Sequence, residues 1–418
     1  MAMNTNPARG MRDFLPEDKA LREYVKSTIR KVYETSGFTE IETPAVENIE
    51  NLLGSDGGEN LKLIYKILKR GEKLDLDQSG LNESDLADLG LRYDLTIPLC
   101  RYYANNKANL PGVFKAIQIG NVYRAERSQK GRYRTFVQCD VDVIGDTSIT
   151  TEIDLINTVT KALTALSLNN FVVRINDRRV LKGAIAFAGF SDDEFPKVCI
   201  ILDKMDKIGE DGVKNELLKE SYDEANIDKL MDVLKVVSSD NIEALKNYGV
   251  EEAAVESLST IISAVKMLSG GAYDIEFDFT LVRGMGYYTG TIFEIAMSDL
   301  GYSVAGGGRY DELIGRFIGE SVPACGFSIG FERIVDLLKE RNFKPNQRDK
   351  VALVYDESTA INVVMSTAEQ LRTEGSIVSI LQKAKKFGKQ LNRFEAEGYN
   401  KVAILNNDAL ELKNLLEE

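Results

Sequence analysis

Three arginine-bearing stretches hold the residues best suited to chemistry. In "YRAERSQKGRYRTF", Arg124, Glu126, Arg127, Arg132 and Arg134 crowd a polar turn between two strand-like runs. A fixed guanidinium grips phosphate oxygens in a forked geometry, and a nearby carboxylate can orient it or accept from an amine. Alternation along a strand places Arg124 and Glu126 on one face. In "GFSIGFERI", Arg333 opens a helix behind Gly326 and Gly330, which let a ligand approach the backbone. In "LVRGMGYYTGTIFEI", Arg283 stands beside Gly284 and Gly286, and Tyr287 and Tyr288 lead into a strand. Alternation there sends the two tyrosines to opposite faces, so one of them shares the pocket of the arginine. Taken singly, each stretch is equally accounted for by surface ion pairs or a structural turn.

Other residue types narrow the reaction. The chain has no histidine, where ordinary usage of roughly 2% would give about nine. Tryptophan is absent too, so compositional drift and selection against histidine are both open. Without imidazole there is no Ser-His-Asp triad, no HExxH zinc site and no imidazole general base. No GxxxxGK[ST] loop and no CxxC pair is present. Arginines converging on a cleft suit the activation of a carboxylate by ATP. The nucleophile is already ionised, so the work is to align it with a phosphate and neutralise the developing charge.

The elements that must carry these residues follow from periodicity. Pro16 to Ser36 reads as a helix with Leu21, Val25, Ile29 and Val32 on one side and Gly37 at its end. "GFTEIETPAVE" reads as a strand stopped by Pro44, and "LRYDLTIPLCRYYAN" as a strand turning at Pro98 into a short helix. "VFKAIQIGNVYRAER" and "RTFVQCDVDVIG" form an antiparallel hairpin around the basic loop. "TEIDLINTVTKALTAL" is a helix with its N-cap region at Thr150–Thr151. Residues 177–270 read as a charged helical insertion between a first part of the mixed core (1–176) and a second (271–345). In the second part "AGGGRYDELIG" reads as a glycine-rich turn. Residues 349–418 alternate strand and helix, a small α/β domain with three parallel strands and a helical end. Length alone, 418 residues, implies more than one domain.

A composition of 44% hydrophobic and 28% charged residues is that of a soluble globular chain. No apolar run is long enough to span a bilayer, the stretch "MAMNTNPARGMRDFLPEDKA" lacks the apolar core of a signal peptide, and Cys100, Cys139, Cys199 and Cys325 read as buried free thiols. These point to the cytoplasm and to no membrane partner. A net charge of −13 argues against general nucleic-acid binding but leaves room for a local basic groove.

With these residues in place, the chain resembles the class II aminoacyl-tRNA synthetases, and among them the histidyl-tRNA synthetase family. The resemblance rests on "ARGMRDFLPE", "GFTEIETPAVE", "LRYDLTIPLCRY", "YRAERSQKGRYRTFVQCDVDVIG", "ILDKMDKIG", "LVRGMGYYTGTIFEI", "GGGRYDELIG" and "GFSIGFERI", collinear over about four-fifths of the chain. It implies an α+β fold: an antiparallel catalytic sheet flanked by helices, a helical insertion and a C-terminal α/β anticodon-binding domain. It also implies a homodimer, and ATP with its Mg2+. By matched position, Arg124, Glu126, Arg132, Tyr133, Phe136 and Arg333 would hold ATP, with Arg124 on the α-phosphate and Arg333 on the γ-phosphate. Asp94, Thr96, Gln138, Asp142, Tyr288 and Tyr310 would form a histidine pocket. Arg283 would touch both the substrate carboxylate and the α-phosphate, where other class II enzymes place a metal ion. No protein-held metal is expected. Gln129 would face the acceptor end of a histidine tRNA. Three positions depart from the family's usual pattern: Met285-Gly286 replaces Leu-Asp, Val137 stands where His or Tyr is usual, and the C-terminal domain lacks further strands. The basic run "KAKKFGKQLNR" suits either an anticodon stem or a solvated helix face. The resemblance leaves open a ligase that makes histidyl-tRNA, a histidine-binding regulatory subunit of ATP phosphoribosyltransferase, and a synthetase-like enzyme charging another acceptor.

Overall fold

The computed structural model describes residues 3–54, 59–74, 80–127, 133–237, 242–282, 286–297, 302–345, 348–407 and 409–415. The chain divides into two compact units, Met1–Arg341 and Asn342–Glu418.

In the first unit, helix α1 (Pro16–Thr35) is followed by β1 (Thr39–Glu40), β2 (Val46–Asn48), α2 (Ile49–Leu53), β3 (Lys66–Leu68), α3 (Glu83–Leu86), β4 (Ala87–Leu91) and α4 (Thr96–Asn106). Next come β5 (Phe114–Tyr123), β6 (Thr135–Ile144), α5 (Thr150–Ala165) and β7 (Phe171–Asp177). Helices α6 (Arg178–Ala188), α7 (Phe195–Leu202), α8 (Met205–Lys219), α9 (Glu224–Val237) and α10 (Glu252–Ser269) then run without a strand among the described residues. The unit closes with β8 (Asp274–Phe277), β9 (Thr291–Met297), β10 (Ser303–Arg309), α11 (Gly315–Ile318), β11 (Ala324–Gly330) and α12 (Phe331–Glu340).

Eight strands form one mixed sheet in the order β1-β5-β6-β11-β10-β9-β7-β8. Its five central pairings are antiparallel, and the outer pairs β1/β5 and β7/β8 are parallel. Strands β2, β4 and β3 make a separate small antiparallel sheet. The helices from α6 to α10 leave from the end of β7 and return in β8, which pairs with β7 again.

Strand β6 shows why the sheet has two faces. Val137, Cys139, Val141 and Val143 alternate into the core, while Phe136, Gln138, Asp140 and Asp142 take the opposite face. Helix α1 packs on β6 through a buried stripe of Leu21, Val25, Ile29 and Tyr33, and the Tyr33 hydroxyl donates to the Cys139 carbonyl at 3.4 Å. Pro16 sits in its first turn, and Gly37, at φ +85°, lets the chain leave.

Several expected elements differ in detail. The run around "GFTEIETPAVE" is two short strands in two sheets, because the chain crosses from β1 to β2 at Pro44. Near Pro98 the strand ends earlier, at Leu91, and the helix starts at Thr96; proline fits its first turn, where no N–H is needed. Helix α5 forms as expected, but it begins at Thr150, so Thr150 and Thr151 are its first helical residues and the N-cap is Ile149. In α8, Gly209 breaks the helical backbone with φ 68° and ψ 176°. The glycine-rich "AGGGR" is no turn but the interior of β10. A Cβ on Gly307 would lie 2.0 Å from the Gly326 carbonyl oxygen, and one on Gly308 2.6 Å from that of Thr291. Close approach of three strands, not a reversal, is what requires glycine there.

In the second unit β12 (Lys350–Tyr355), α13 (Ile361–Thr373), β13 (Ile377–Gln382), α14 (Phe387–Ala396), β14 (Lys401–Asn406) and β15 (Ala409–Asn414) build a sheet in the order β13-β12-β14-β15. The first three strands are parallel, as the alternation predicts. The end expected as helix is a fourth, antiparallel strand. Asn407, at φ +52°, takes the left-handed conformation that turns the chain back along β14. In the basic run, Lys383 pairs with Asp356 and Arg393 with Glu397, while Lys385, Lys386 and Lys389 are exposed.

All four cysteines are buried free thiols. Among the described residues no helix is long and apolar enough to cross a membrane.

Candidate active site

The outer face of β6, of its neighbour β11 and of β10 beyond it floors a cavity of about 600 Å³. Every candidate site residue that the structure describes lines it. From the loop after β5 come Arg124 and Glu126, from β6 and its approach Tyr133, Phe136, Gln138 and Asp142, and from α12 Arg333. The N-terminal end of α4 supplies Asp94 and Thr96, and Tyr288 and Tyr310 complete the set. Gln129, Arg132 and Arg283 lie outside the described residues.

One stretch of the cavity is basic and aromatic. The Arg124 guanidinium stands 5.0 Å from the centre of the Phe136 ring, and its Nε donates to the Tyr93 carbonyl at 3.0 Å. Strand β5 ends at Tyr123, so strand alternation does not bring Arg124 and Glu126 together. The loop does, and the Arg124 N–H still donates to the Arg134 carbonyl at 2.9 Å. Arg333 donates to the Ser303 carbonyl and packs 5.1 Å from the Tyr302 ring. Tyr133 donates to Asp336 at 3.4 Å and lies beneath the Arg12 guanidinium.

Between these groups sits Glu332, which the sequence reading did not single out. Arg22 donates to both of its oxygens, at 2.6 and 2.7 Å, Arg12 donates to one, and the Val137 N–H adds a bond of 3.2 Å. Burial is the largest influence and opposes its ionisation, but the Arg22 bonds and charge, the Arg12 charge and the Val137 N–H together outweigh it and hold the carboxyl below its ordinary range. Glu332 thus fixes α1, β6 and α12 together at the mouth of α12, and Arg333 projects from that anchored turn.

The other end is acidic. Phe136 and Asp142 are six residues apart on one strand, about 20 Å at a strand's rise. There Asp94, Asp140 and Asp142 are all buried and face the same space. Tyr310 donates to Asp142 Oδ1 at 2.6 Å. Burial pushes the Asp142 carboxyl up to about 7; the Tyr310 bond counters part of this, and Asp94 adds to it. Burial pushes Asp94 up to about 6, against the Ile97 N–H that donates to its Oδ1 and the charge of Arg124. Its Oδ2 is buried without a partner among the described residues. Asp140 is raised well above its ordinary value, by burial and then by Asp142. Space for this cluster is made by Gly326, paired with Asp142 across β11 and β6. A Cβ there would stand 1.9 Å from Asp142 Oδ1.

Tyrosines close this end. The alternation rule had assigned only one of Tyr287 and Tyr288 to the pocket, but both line it. They precede β9, in a turn, so strand alternation does not apply; their rings are 4.9 Å apart and Tyr287 meets Tyr310 edge-on at 5.9 Å. Gly286 is exposed and does not line the cavity. Val137 points into the core. Asp140 was missed although period two, which joins Gln138 to Asp142, places it on the same face. No local signal marks Glu332 or Ser328, because their partners are distant in sequence.

Three buried carboxyls and unpartnered acceptors fit a small ligand rich in N–H groups. The arginines and aromatic rings fit a nucleoside phosphate. A chamber that binds both side by side can join them.

Comparison with known proteins gives this chamber a family. Residues 10–334 match the family model described as histidyl-tRNA synthetase. A histidine–tRNA ligase of Leifsonia xyli is 43% identical, with 100% of both chains covered. One from Cytophaga hutchinsonii is 34% identical over 98% of this chain and 95% of its own. The crystal structure of histidyl-tRNA synthetase from Nostoc superposes with a TM-score of 0.83 at 30% identity, covering 99% of this chain and 95% of that one.

Proposed function

Because the chain belongs to the histidyl-tRNA synthetase family, we propose that it is a histidine–tRNA ligase. It activates histidine with ATP to histidyl-adenylate and passes the histidyl group to the histidine tRNA. The observation that carries this reading is one cavity lined by Arg124 and Arg333 as well as by three buried carboxyls.

ATP lies along the basic stretch. Arg124 grips the α-phosphate, Arg333 the γ-phosphate, and Tyr133 and Phe136 offer aromatic surface to the nucleotide; Glu126 and Arg132 complete its contacts. Bound with the nucleotide, Mg2+ would supply shielding of its phosphate charge. Histidine lies at the acidic end. Its ammonium meets Asp94, Thr96 and Gln138, and its imidazole meets Asp142, Tyr310 and Tyr288. The substrate carboxylate is ionised at neutral pH, so no base is required. One of its oxygens attacks the α-phosphorus, the bond to pyrophosphate breaks, and the mixed anhydride remains. Fixed arginines stabilise the charge that spreads over the phosphoryl oxygens, an effect strongest where water is excluded. By family resemblance, Arg283 bridges the carboxylate and the α-phosphate. The terminal ribose hydroxyl of the tRNA, guided past Gln129, then replaces AMP at the carbonyl carbon. The enzyme works in the cytoplasm as a homodimer.

ATP–pyrophosphate exchange with each amino acid, followed by charging of histidine tRNA, tests the assignment. Exchange should depend on histidine and charging should follow. Binding of histidine without exchange would instead identify a regulatory subunit, and exchange without charging a different acceptor. In the same assay Arg283→Ala should lower the activation rate far more than histidine affinity.

A further inference from the structure

Two buried acceptor atoms in the cavity lack donors among the described residues: Asp94 Oδ2 and Gln138 Oε1. A carboxylate can present only oxygen, but a primary amide can present either oxygen or NH2. If the Gln138 amide turned over, its NH2 would confront any cationic ligand. Something must hold it oxygen-inward.

The structure supplies the constraint. Gln138 Nε2 donates to Ser328 Oγ at 3.1 Å, and the Ser328 hydroxyl donates to Asp140 Oδ1. Register brings them together, since Asp140 pairs with Ser328 and Gln138 with Gly330 on the adjoining β6 and β11. A serine has one proton to give. Once it is donated to Asp140, Ser328 Oγ can only accept, so it selects the NH2 side of Gln138 and turns Oε1 toward the cavity.

We propose that Asp140 and Ser328 are positioning residues, which lock the Gln138 amide so that its oxygen, beside Asp94, selects ligands bearing a primary ammonium. This deepens the proposed function and rests on it, with the α-ammonium of histidine as the group selected. Neither residue need touch the substrate.

The test compares histidine with 3-(imidazol-4-yl)propanoate, which is histidine without its amino group. Histidine-dependent exchange by the unaltered full-length chain is the control. Its absence overturns the functional reading, and this proposal with it. Ser328→Ala should raise KM for histidine about tenfold with kcat within about twofold, the effect of one misdirected bond to a charged group. Its inhibition constant for the propanoate should not change. Ser328→Thr, which keeps the hydroxyl, should stay within about threefold of the unaltered KM. Asp140→Ala should weaken histidine comparably in the parent, yet by less than about twofold in the Ser328→Ala background, because the two act as one unit. A full Asp140 effect in that background would mean that Asp140 acts on the ligand without Ser328 and would overturn the proposal. So would equal weakening of both ligands, or an unchanged histidine KM. Should Ser328→Ala not fold, Asp140→Ala with the two ligands makes the same comparison.

Discussion

Replacing Asp142 with asparagine should make the protein more stable and far less active, and the stability gain should grow with pH. An aspartate in the unfolded chain loses its proton near its ordinary value of 3.8, whereas burial delays this in the fold to about 7. Between those values the folded state holds a proton that the unfolded state has released. Stability therefore falls as pH rises through the window, and the loss is complete above about pH 7. For this one carboxyl the cost is about 2 kcal/mol at pH 5 and about 4 kcal/mol at pH 8. Asparagine is never ionised, and its oxygen still accepts the Tyr310 hydroxyl that now lies 2.6 Å from Asp142 Oδ1. The advantage of Asp142→Asn should thus widen by about 2–3 kcal/mol between pH 5 and pH 8. For a unit spanning Met1–Arg341 that is about 3–4 °C in the gap between the two melting temperatures, measurable by thermal unfolding across pH. Losing the anionic partner of the imidazole should raise KM for histidine by about 10- to 100-fold in pyrophosphate exchange. A melting-temperature gap that stays flat or narrows with pH would refute the reasoning, since Asp142 would then be ionised in the fold at pH 5.

Gly326→Ala would push a methyl onto Asp142 Oδ1, 1.9 Å from the ideal Cβ; histidine-dependent exchange should be lost while the fold is destabilised by about 1–3 kcal/mol, read from denaturant midpoints. Arg22→Ala leaves Glu332 buried with its principal partner gone, so it should cost about 3–5 kcal/mol in urea unfolding. Arg333→Ala, one residue on, should weaken ATP in exchange kinetics with a stability change under about 1 kcal/mol, because the side chain is only half-buried in the cavity wall. Equal stability losses in Arg22→Ala and Arg333→Ala would contradict the division between anchor and ligand arginines.

Much of the site is legible from local pattern. Helix α1, the β5–β6 hairpin and the α12 entry follow from periodicity, a basic turn and a strand-to-helix joint. Gln138 and Asp142 come from the family resemblance; period two along β6 puts them on one face, and the same rule reaches Asp140. Local pattern misleads where neighbours distant in sequence decide. Gly306, Gly307 and Gly308 have the composition of a turn but form a strand, because backbones of β9 and β11 approach too closely for side chains. Asn407 turns the chain from β14 into β15, an antiparallel fourth strand where a helix would fit the sequence.

What the sequence by itself determined is the chemistry available: no imidazole, three arginine stretches, and acids and phenols at spacings that resemble one family. Those follow from residue type and order, which are independent of conformation. What only the tertiary structure decided is how those groups behave. Asp94, Asp140 and Asp142 are ordinary acids by residue type; burial in one chamber raises the proton affinity of each, and at Asp142 the Tyr310 bond offsets only part of the rise. Ser328 is unremarked until β11 lays it beside β6, where its single proton can set the direction of the Gln138 amide. Arg22 and Glu332 meet across most of the chain's length. Desolvation and hydrogen-bond direction depend on neighbours in space, and the fold alone supplies them.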